Sequence, residues 1–185
     1  WTEVSDARDI LDVGTGTGLI SLMLAQRSEA HIMAVDIDED AVKQAEENVK
    51  NSPWPDRIEV EHHDICHFDS DIRYDVIVSN PPYFVNSLKC PDGQRNMARH
   101  TVGLNFESLI NSCGRLLSSS GRFSVIIPTD GMDEFMKIAS EEGLYLSRRT
   151  WIKTKPDATP KRVLMEFKKQ PATCVEGCLV VELSR

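Results

Sequence analysis

Ile10-Leu11-Asp12-Val13-Gly14-Thr15-Gly16-Thr17-Gly18-Leu19 is the stretch that decides the fold: a short apolar run, glycine at every second position, then Leu19, Ile20, Leu22, Met23 and Leu24 spaced as a buried helix. The order is strand, tight loop, helix. Glycines at 14, 16 and 18 let the backbone turn sharply off the strand and let a ligand approach without a Cβ in the way, with helix N–H groups facing it.

Outward from this loop the pattern repeats. His31–Val35 closes on Asp36, and Asp38–Lys50 carries Ala41, Val42, Ala45 and Val49 at helical spacing behind an acidic first turn. Arg57–Glu61 and Tyr74–Ser79 read as strands, the second apolar enough for the middle of a parallel sheet. A helix is predicted over Phe106–Leu117, a turn at Ser118–Ser120, a strand over Gly121–Ile127 and a helix over Met132–Glu142, with Leu144–Lys153 and Arg162–Lys168 as the arms of a closing β-pair. This alternation predicts an α/β, Rossmann-like domain: a mostly parallel seven-stranded sheet with an antiparallel strand near the C-terminal edge and helices on both faces. Ligands of such sheets bind beyond the carboxyl ends of the strands, so the polar residues that follow each strand are the ones to read.

Size and composition set the bounds. The 185 residues suit one domain spanning 1–185, and no apolar run approaches the ~20 residues of a membrane span. A net charge of −8 argues against coating nucleic acid by bulk charge, though not against a local basic face. The five cysteines, Cys66, Cys90, Cys113, Cys174 and Cys178, are scattered as in a reducing compartment, and no basic, apolar leader opens the chain. A cytoplasmic location is expected, as a monomer or weak dimer. The chain opens at Trp1 without Met and nearly at its first strand, which leads us to expect a natural N-terminal segment upstream. His62, His63 and His67 offer no third ligand of known type, so no metal is expected.

Chemistry concentrates after the strands. The loop is G-x-G-x-G, preceded by Asp12, and the next strand ends in Asp36, at a separation that lets a carboxylate accept hydrogen bonds from ribose hydroxyls. Neither the dinucleotide fingerprint nor a Walker lysine is present. Asp12 within reach of the loop balances a positive ligand group, where a pyrophosphate would be repelled. S-adenosylmethionine, with a cationic sulfonium and α-amino group, fits that polarity. Asp12–Gly18 resembles the first motif of the class I methyltransferases, and the resemblance implies that Asp12, Gly14, Thr15, Gly16, Gly18 and Asp36 bind the cofactor. It also implies that Asp64, after the third strand, meets the adenine amino group and that Ile37 and Ile65 pack on the ring.

Val76-Ile77-Val78-Ser79 runs straight into Asn80-Pro81-Pro82-Tyr83, a strand ending in two residues that lack N–H groups and hold φ fixed. Such a rigid loop presents the Asn80 side-chain carbonyl and the Pro81 backbone carbonyl as two acceptors aimed at one point, which suits an –NH2 group. Accepting both hydrogens of a planar amine favours a lone pair directed at a sulfonium methyl, while Tyr83 stacks on the ring. No metal or covalent intermediate is required. The tetrapeptide looks like the fourth motif of amino-methyltransferases, which places Asn80, Pro81, Pro82 and Tyr83 in the catalytic loop, with Asn80 also beside the cofactor.

Charge points to the substrate. Residues 1–92 hold 7 Lys and Arg against 19 Asp and Glu, and residues 93–185 hold 14 against 10. Within Arg148–Lys169 stand Arg148, Arg149, Lys153, Lys155, Lys161, Arg162, Lys168 and Lys169, a plausible phosphate-contact surface or a strand edge guarded by lysines. Arg95 and Arg99 follow the catalytic loop closely enough to reach a nucleic-acid backbone. Asn-Pro-Pro-Tyr-Phe, Ala98-Arg99-His100-Thr101, the Gly121-Arg122-Phe123 strand and Lys161–Phe167 followed by Leu179-Val180-Val181 resemble, across essentially the whole chain, the bacterial valine tRNA (adenine-37-N6)-methyltransferase family. The resemblance implies methyl transfer from S-adenosylmethionine to an adenine N6 in tRNA, with Tyr83, Phe84, Arg95, Arg99, Lys153, Lys155, Lys161 and Arg162 facing the RNA. The rival readings are a protein-glutamine N5-methyltransferase, which uses the same tetrapeptide on an amide, and a ribosomal RNA amino-methyltransferase.

Overall fold

A computed structural model describes residues 1–81 and 105–182. Its strands are β1 (Asp9–Val13), β2 (His31–Asp36), β3 (Ile58–His62), β4 (Tyr74–Ser79), β5 (Leu117–Pro128), β6 (Tyr145–Lys153), β7 (Arg162–Lys168) and β8 (Val175–Val180). Its helices are α1 (Leu19–Ala25), α2 (Glu39–Lys50), α3 (Phe106–Leu116) and α4 (Met132–Glu141), with a 3-10 turn at Thr129–Gly131.

All the strands join one sheet in the order β3-β2-β1-β4-β5-β7-β6-β8. β1 to β5 run parallel, and β7 is antiparallel to both of its neighbours. The mostly parallel α/β architecture and the antiparallel strand near the C-terminal edge are as the sequence predicts. The count differs: the sheet has eight strands, not seven. β8 pairs parallel with β6 and forms the edge. Its sequence, Val-Glu-Gly-Cys-Leu-Val, neither alternates nor forms an apolar run, so periodicity does not announce it. Gly177 is there for space, since a Cβ would stand 2.9 Å from Thr150 Oγ1.

A second departure concerns Ser118–Ser120, expected as a turn. These residues belong to β5, which leaves α3 directly into extended backbone. Leu117 pairs with Tyr74 and Arg122 with Val76, so the serines form a bulge that absorbs the register shift.

Apolar residues alternate between two faces. Ile10, Ile32, Val76 and Val78 pack with Leu24 of α1 and Val49 of α2 on one side of the sheet. Leu11, Val13, Ile77, Phe123 and Val125 pack with Ile110 of α3 and Phe135 of α4 on the other. Phe123, Phe135 and Phe167 form a triangle with centroids 5.7–6.3 Å apart, each buried ring contributing about 1.5–3 kcal/mol. The sheet order places β2 and β3 on one side of β1 and β4 on the other. The boundary between β1 and β4 is therefore the topological switch point, and ligands of such sheets bind beyond the carboxyl ends of the strands at that point.

Candidate active site

The glycine loop leaves β1 at that switch point. Gly14, Gly16 and Gly18 have φ of 70°, 58° and 81°, a left-handed region that side chains with a Cβ rarely adopt. The loop is anchored to β2, because the N–H groups of Gly14 and Thr15 both donate to the Val35 carbonyl at 2.9 and 3.1 Å. Asn48 of α2 donates to the Thr17 carbonyl at 2.9 Å. A Cβ built on Gly14 or Gly16 would meet no atom within 4 Å, so the turn leaves open space above it.

Asp12 lies beneath this loop and is wholly buried. Its Oδ2 accepts from Thr15 Oγ1 at 2.8 Å and from Ser21 Oγ at 2.7 Å. Its Oδ1 has no hydrogen-bond partner among the described residues. Burial pushes the carboxyl above its ordinary pKa, against the lowering effect of Ser21 and Thr15, and the Asp36 carboxylate adds to the rise. Ser21 is a site residue that the sequence did not disclose. Its only signal is a hydroxyl at a buried position of an apolar helix.

Asp36, at the end of β2, is shared between the loop and its own turn. Gly16 N–H donates to Oδ2 at 2.7 Å and Asp38 N–H to Oδ1 at 3.0 Å. Ile37 follows and is 56% exposed. Asp64 closes the next turn: Cys66 N–H donates to Oδ1 at 2.9 Å, and His67 Nδ1 lies 3.1 Å from Oδ2. Burial works to raise the Asp64 carboxyl, but the Cys66 and His67 contacts outweigh it and hold it below the ordinary value. Ile65 is committed to the larger apolar core, so of the two isoleucines expected to flank a ring only Ile37 presents an open side chain.

β4 delivers the other wall. Its register aligns Ser79 with Val13, and Ser79 Oγ donates to the Val13 carbonyl at 2.9 Å, which ties the two strand ends together. Asn80 follows at the exposed mouth and Pro81 is buried. Hydrogen bonds thus join the glycine loop to Asp12 and to Asp36, and Asn80 follows Ser79 at the same end of the sheet. Pro82, Tyr83, Phe84, Arg95 and Arg99 lie outside the described residues.

The basic stretch near the C-terminus divides. Arg162 pairs with Pro128 and Ile152, so Lys153, Lys155, Lys161 and Arg162 stand at the carboxyl end of β5, the same end of the sheet as Asn80. Lys168 pairs with Tyr145 at the opposite end, where Lys169 Nζ donates to the Leu117 carbonyl. Arg149 is held by Glu176 of β8 and Arg148 lies against the Trp1 ring at 4.0 Å. A cleft of about 580 Å³, lined by Asp9, His31, Arg57, Ser70 and Tyr74 among others, also opens at that opposite end. None of the loop residues reaches it.

The sequence matches the methyltransferase small domain family over residues 2–136. It is 60% identical over 185 residues to the tRNA1(Val) (adenine(37)-N6)-methyltransferase of Phocaeicola vulgatus, covering 100% of this chain and 79% of that protein. The protein of the same name from Bacteroides fragilis is 50% identical over 188 residues, again covering 100% and 79%. Among solved structures, an Agrobacterium tumefaciens protein described as a predicted O-methyltransferase superposes with a TM-score of 0.75 at 21% identity, covering 96% of this chain and 83% of its own. The N-methyltransferase NodS of Bradyrhizobium japonicum, in complex with S-adenosyl-l-homocysteine, gives 0.63 at 17% identity, covering 87% and 77%. These two likenesses are of fold.

Proposed function

The chain belongs to the methyltransferase small domain family, and within it to the tRNA1(Val) (adenine(37)-N6)-methyltransferases; from this premise we propose how its residues carry the reaction. The activity is transfer of a methyl group to the N6 amino group of adenine 37 in tRNA1(Val). S-adenosylmethionine supplies that methyl group as an electrophile on a cationic sulfur.

The site at the switch point fits such a cofactor. Its buried carboxylate has an oxygen with no partner among the described residues, and the glycine turn leaves open space above it. Asp12 supplies negative charge toward a cationic group and is itself held by Thr15 and Ser21. Gly14, Thr15, Gly16 and Gly18 shape the floor, where a side chain would impose both strain and bulk. Asp36 retains acceptor capacity beyond its two bonds from backbone N–H groups, which suits ribose hydroxyls. Ile37 offers an apolar surface to one face of an adenine, and Asp64 offers further acceptor capacity near its edge.

Asn80 and Pro81 do the orienting work. An exocyclic adenine nitrogen is a weak nucleophile because its lone pair is delocalised into the ring. Two carbonyl acceptors, one from the Asn80 side chain and one from the Pro81 backbone, take its two hydrogens and favour the geometry that frees the lone pair. In the sequence Pro82 follows directly, and the aromatic side chains of Tyr83 and Phe84 suit stacking on the base. Lys153, Lys155, Lys161 and Arg162, with Arg95 and Arg99, provide the positive charge that an RNA backbone requires.

The observation that carries this reading is the convergence of the glycine turn, the orphaned Asp12 oxygen and the Ser79–Asn80 strand end on one switch point. The test is incubation with labelled S-adenosylmethionine and small RNA, followed by nucleoside analysis. Labelled N6-methyladenosine is expected. Label on protein glutamine with none on RNA would replace the reading with amide methylation.

A further inference from the structure

We propose that residues 153–162, the hairpin between β6 and β7, form a preordered docking surface for the RNA backbone, clamped to the catalytic end of the sheet by Thr129. The proposal rests on the RNA methylation argued above and says where the RNA enters and what fixes that surface.

Four basic residues, Lys153, Lys155, Lys161 and Arg162, stand in this segment against one acid, Asp157; Asp130 lies on the adjoining turn, Asp133 and Glu134 open α4 after it, and Glu182 borders Thr154. Lysines on strands often guard a sheet edge against pairing with another chain. That explanation fails here, because β6 and β7 each have a strand on both sides and β8 forms the edge. Lys155 and Lys161 lie in the loop beyond the paired strands, both exposed. Across the switch point the rim is acidic, with Asp36, Asp38, Glu39, Asp40 and Asp64. A polyanion is repelled from that side and drawn in over β5, β7 and β6.

The hairpin is held from several directions. Thr129, directly after β5, donates its N–H to the Lys161 carbonyl at 3.2 Å and its Oγ1 to the Pro160 carbonyl at 3.2 Å. Lys161 N–H donates to the Ile152 carbonyl at 3.3 Å and Ala158 N–H to that of Lys155 at 3.1 Å. The N–H groups of Val181 and Glu182, following β8, donate to the carbonyls of Lys153 and Thr154 at 2.9 Å each. Pro156 and Pro160 further restrict the backbone. Charges on a braced loop lose little freedom on binding, so more of the attraction reaches affinity. Thr129 acts as a positioning residue: it bonds the hairpin to the strand that lies beside β4, from which Asn80 emerges.

The experiment measures tRNA affinity against salt, and methylation kinetics, for the wild type and four variants. Lys155→Gln with Lys161→Gln is expected to raise KM for tRNA and to flatten the slope of log affinity against log salt by about 1.5, with kcat at saturating tRNA and KM for S-adenosylmethionine unchanged. Lys50→Gln with Lys168→Gln removes the same charge from the opposite end of the sheet and is expected to leave the slope alone. Thr129→Val is expected to raise KM for tRNA with all charges intact, and Thr129→Ser to restore it. An unaltered slope in the loop pair, or equal flattening by both pairs, overturns the docking surface. Wild-type KM in Thr129→Val overturns the clamp. A wild-type protein that methylates no tRNA overturns the proposed function itself, a result distinct from either.

Discussion

Asp12 is a carboxyl buried in the strand that leads into the glycine loop. A buried carboxylate with one oxygen unpartnered among the described residues weighs against folding, and its folded pKa stands above the unfolded 3.8. The stability associated with that shift is present below 3.8 and is lost as pH rises through the folded value. Asp12→Asn, of equal size, is therefore expected to stabilise the ligand-free protein at neutral pH and to lose that advantage in acid; urea denaturation at both pH values checks this. The same variant is expected to weaken S-adenosylmethionine binding by about 1.5–3 kcal/mol, roughly ten- to a hundredfold, as calorimetry would read it. Asn80→Ala is expected to lower kcat by about 10²–10³-fold, and unchanged turnover would remove it from the catalytic loop. Asp12 and Asn80 are legible in the sequence as candidates because one stands in the strand that runs into the glycines and the other follows a strand and precedes proline. The bonds of Ser21 to Asp12 and of Thr129 to Pro160 are not legible there, because these partners become neighbours only on folding.

At the scale of elements, local rules account for most boundaries. The spacing opens a helix at Asp38, and Asp38 is its N-cap, accepting from the N–H groups of Asp40 and Ala41. Strands β1, β2 and β4 were legible because a buried parallel strand is a nearly continuous apolar run bounded by polar residues. β8 and the serine bulge of β5 were not, because pairing rather than pattern makes them. Gly121, just past that bulge, is a sharp test. A Cβ there would stand 2.9 Å from the Tyr74 carbonyl oxygen and 2.8 Å from Leu117 Cδ1. Gly121→Ala is expected to cost about 1–3 kcal/mol of stability, seen as a lower urea midpoint at unchanged slope.

Over the whole molecule, acid and base are unevenly shared between the two halves of the sequence, 7 Lys and Arg against 19 Asp and Glu in residues 1–92 and 14 against 10 in residues 93–185. The acidic half was legible by counting. That the basic half splits between two ends of the sheet was not, because β7 reverses direction and carries Lys168 away from Arg162. This uneven sharing predicts two different salt responses. If about four phosphates are contacted, tRNA affinity falls by roughly a hundredfold between 50 and 200 mM salt. Affinity for S-adenosylmethionine, held at short range at the switch point, changes little; parallel titrations at the two salt concentrations check both. One bond connects the assembly of the sheet to an observable signal. The 2.7 Å bond from Gly16 N–H to the Asp36 carboxylate joins the ends of β1 and β2. A short, charge-assisted bond strongly deshields its proton, so the Gly16 amide is expected to give a low-field glycine resonance. Its shift would then report, without any label on the ligand, when the two strand ends are in place and when a ribose hydroxyl comes to share Asp36.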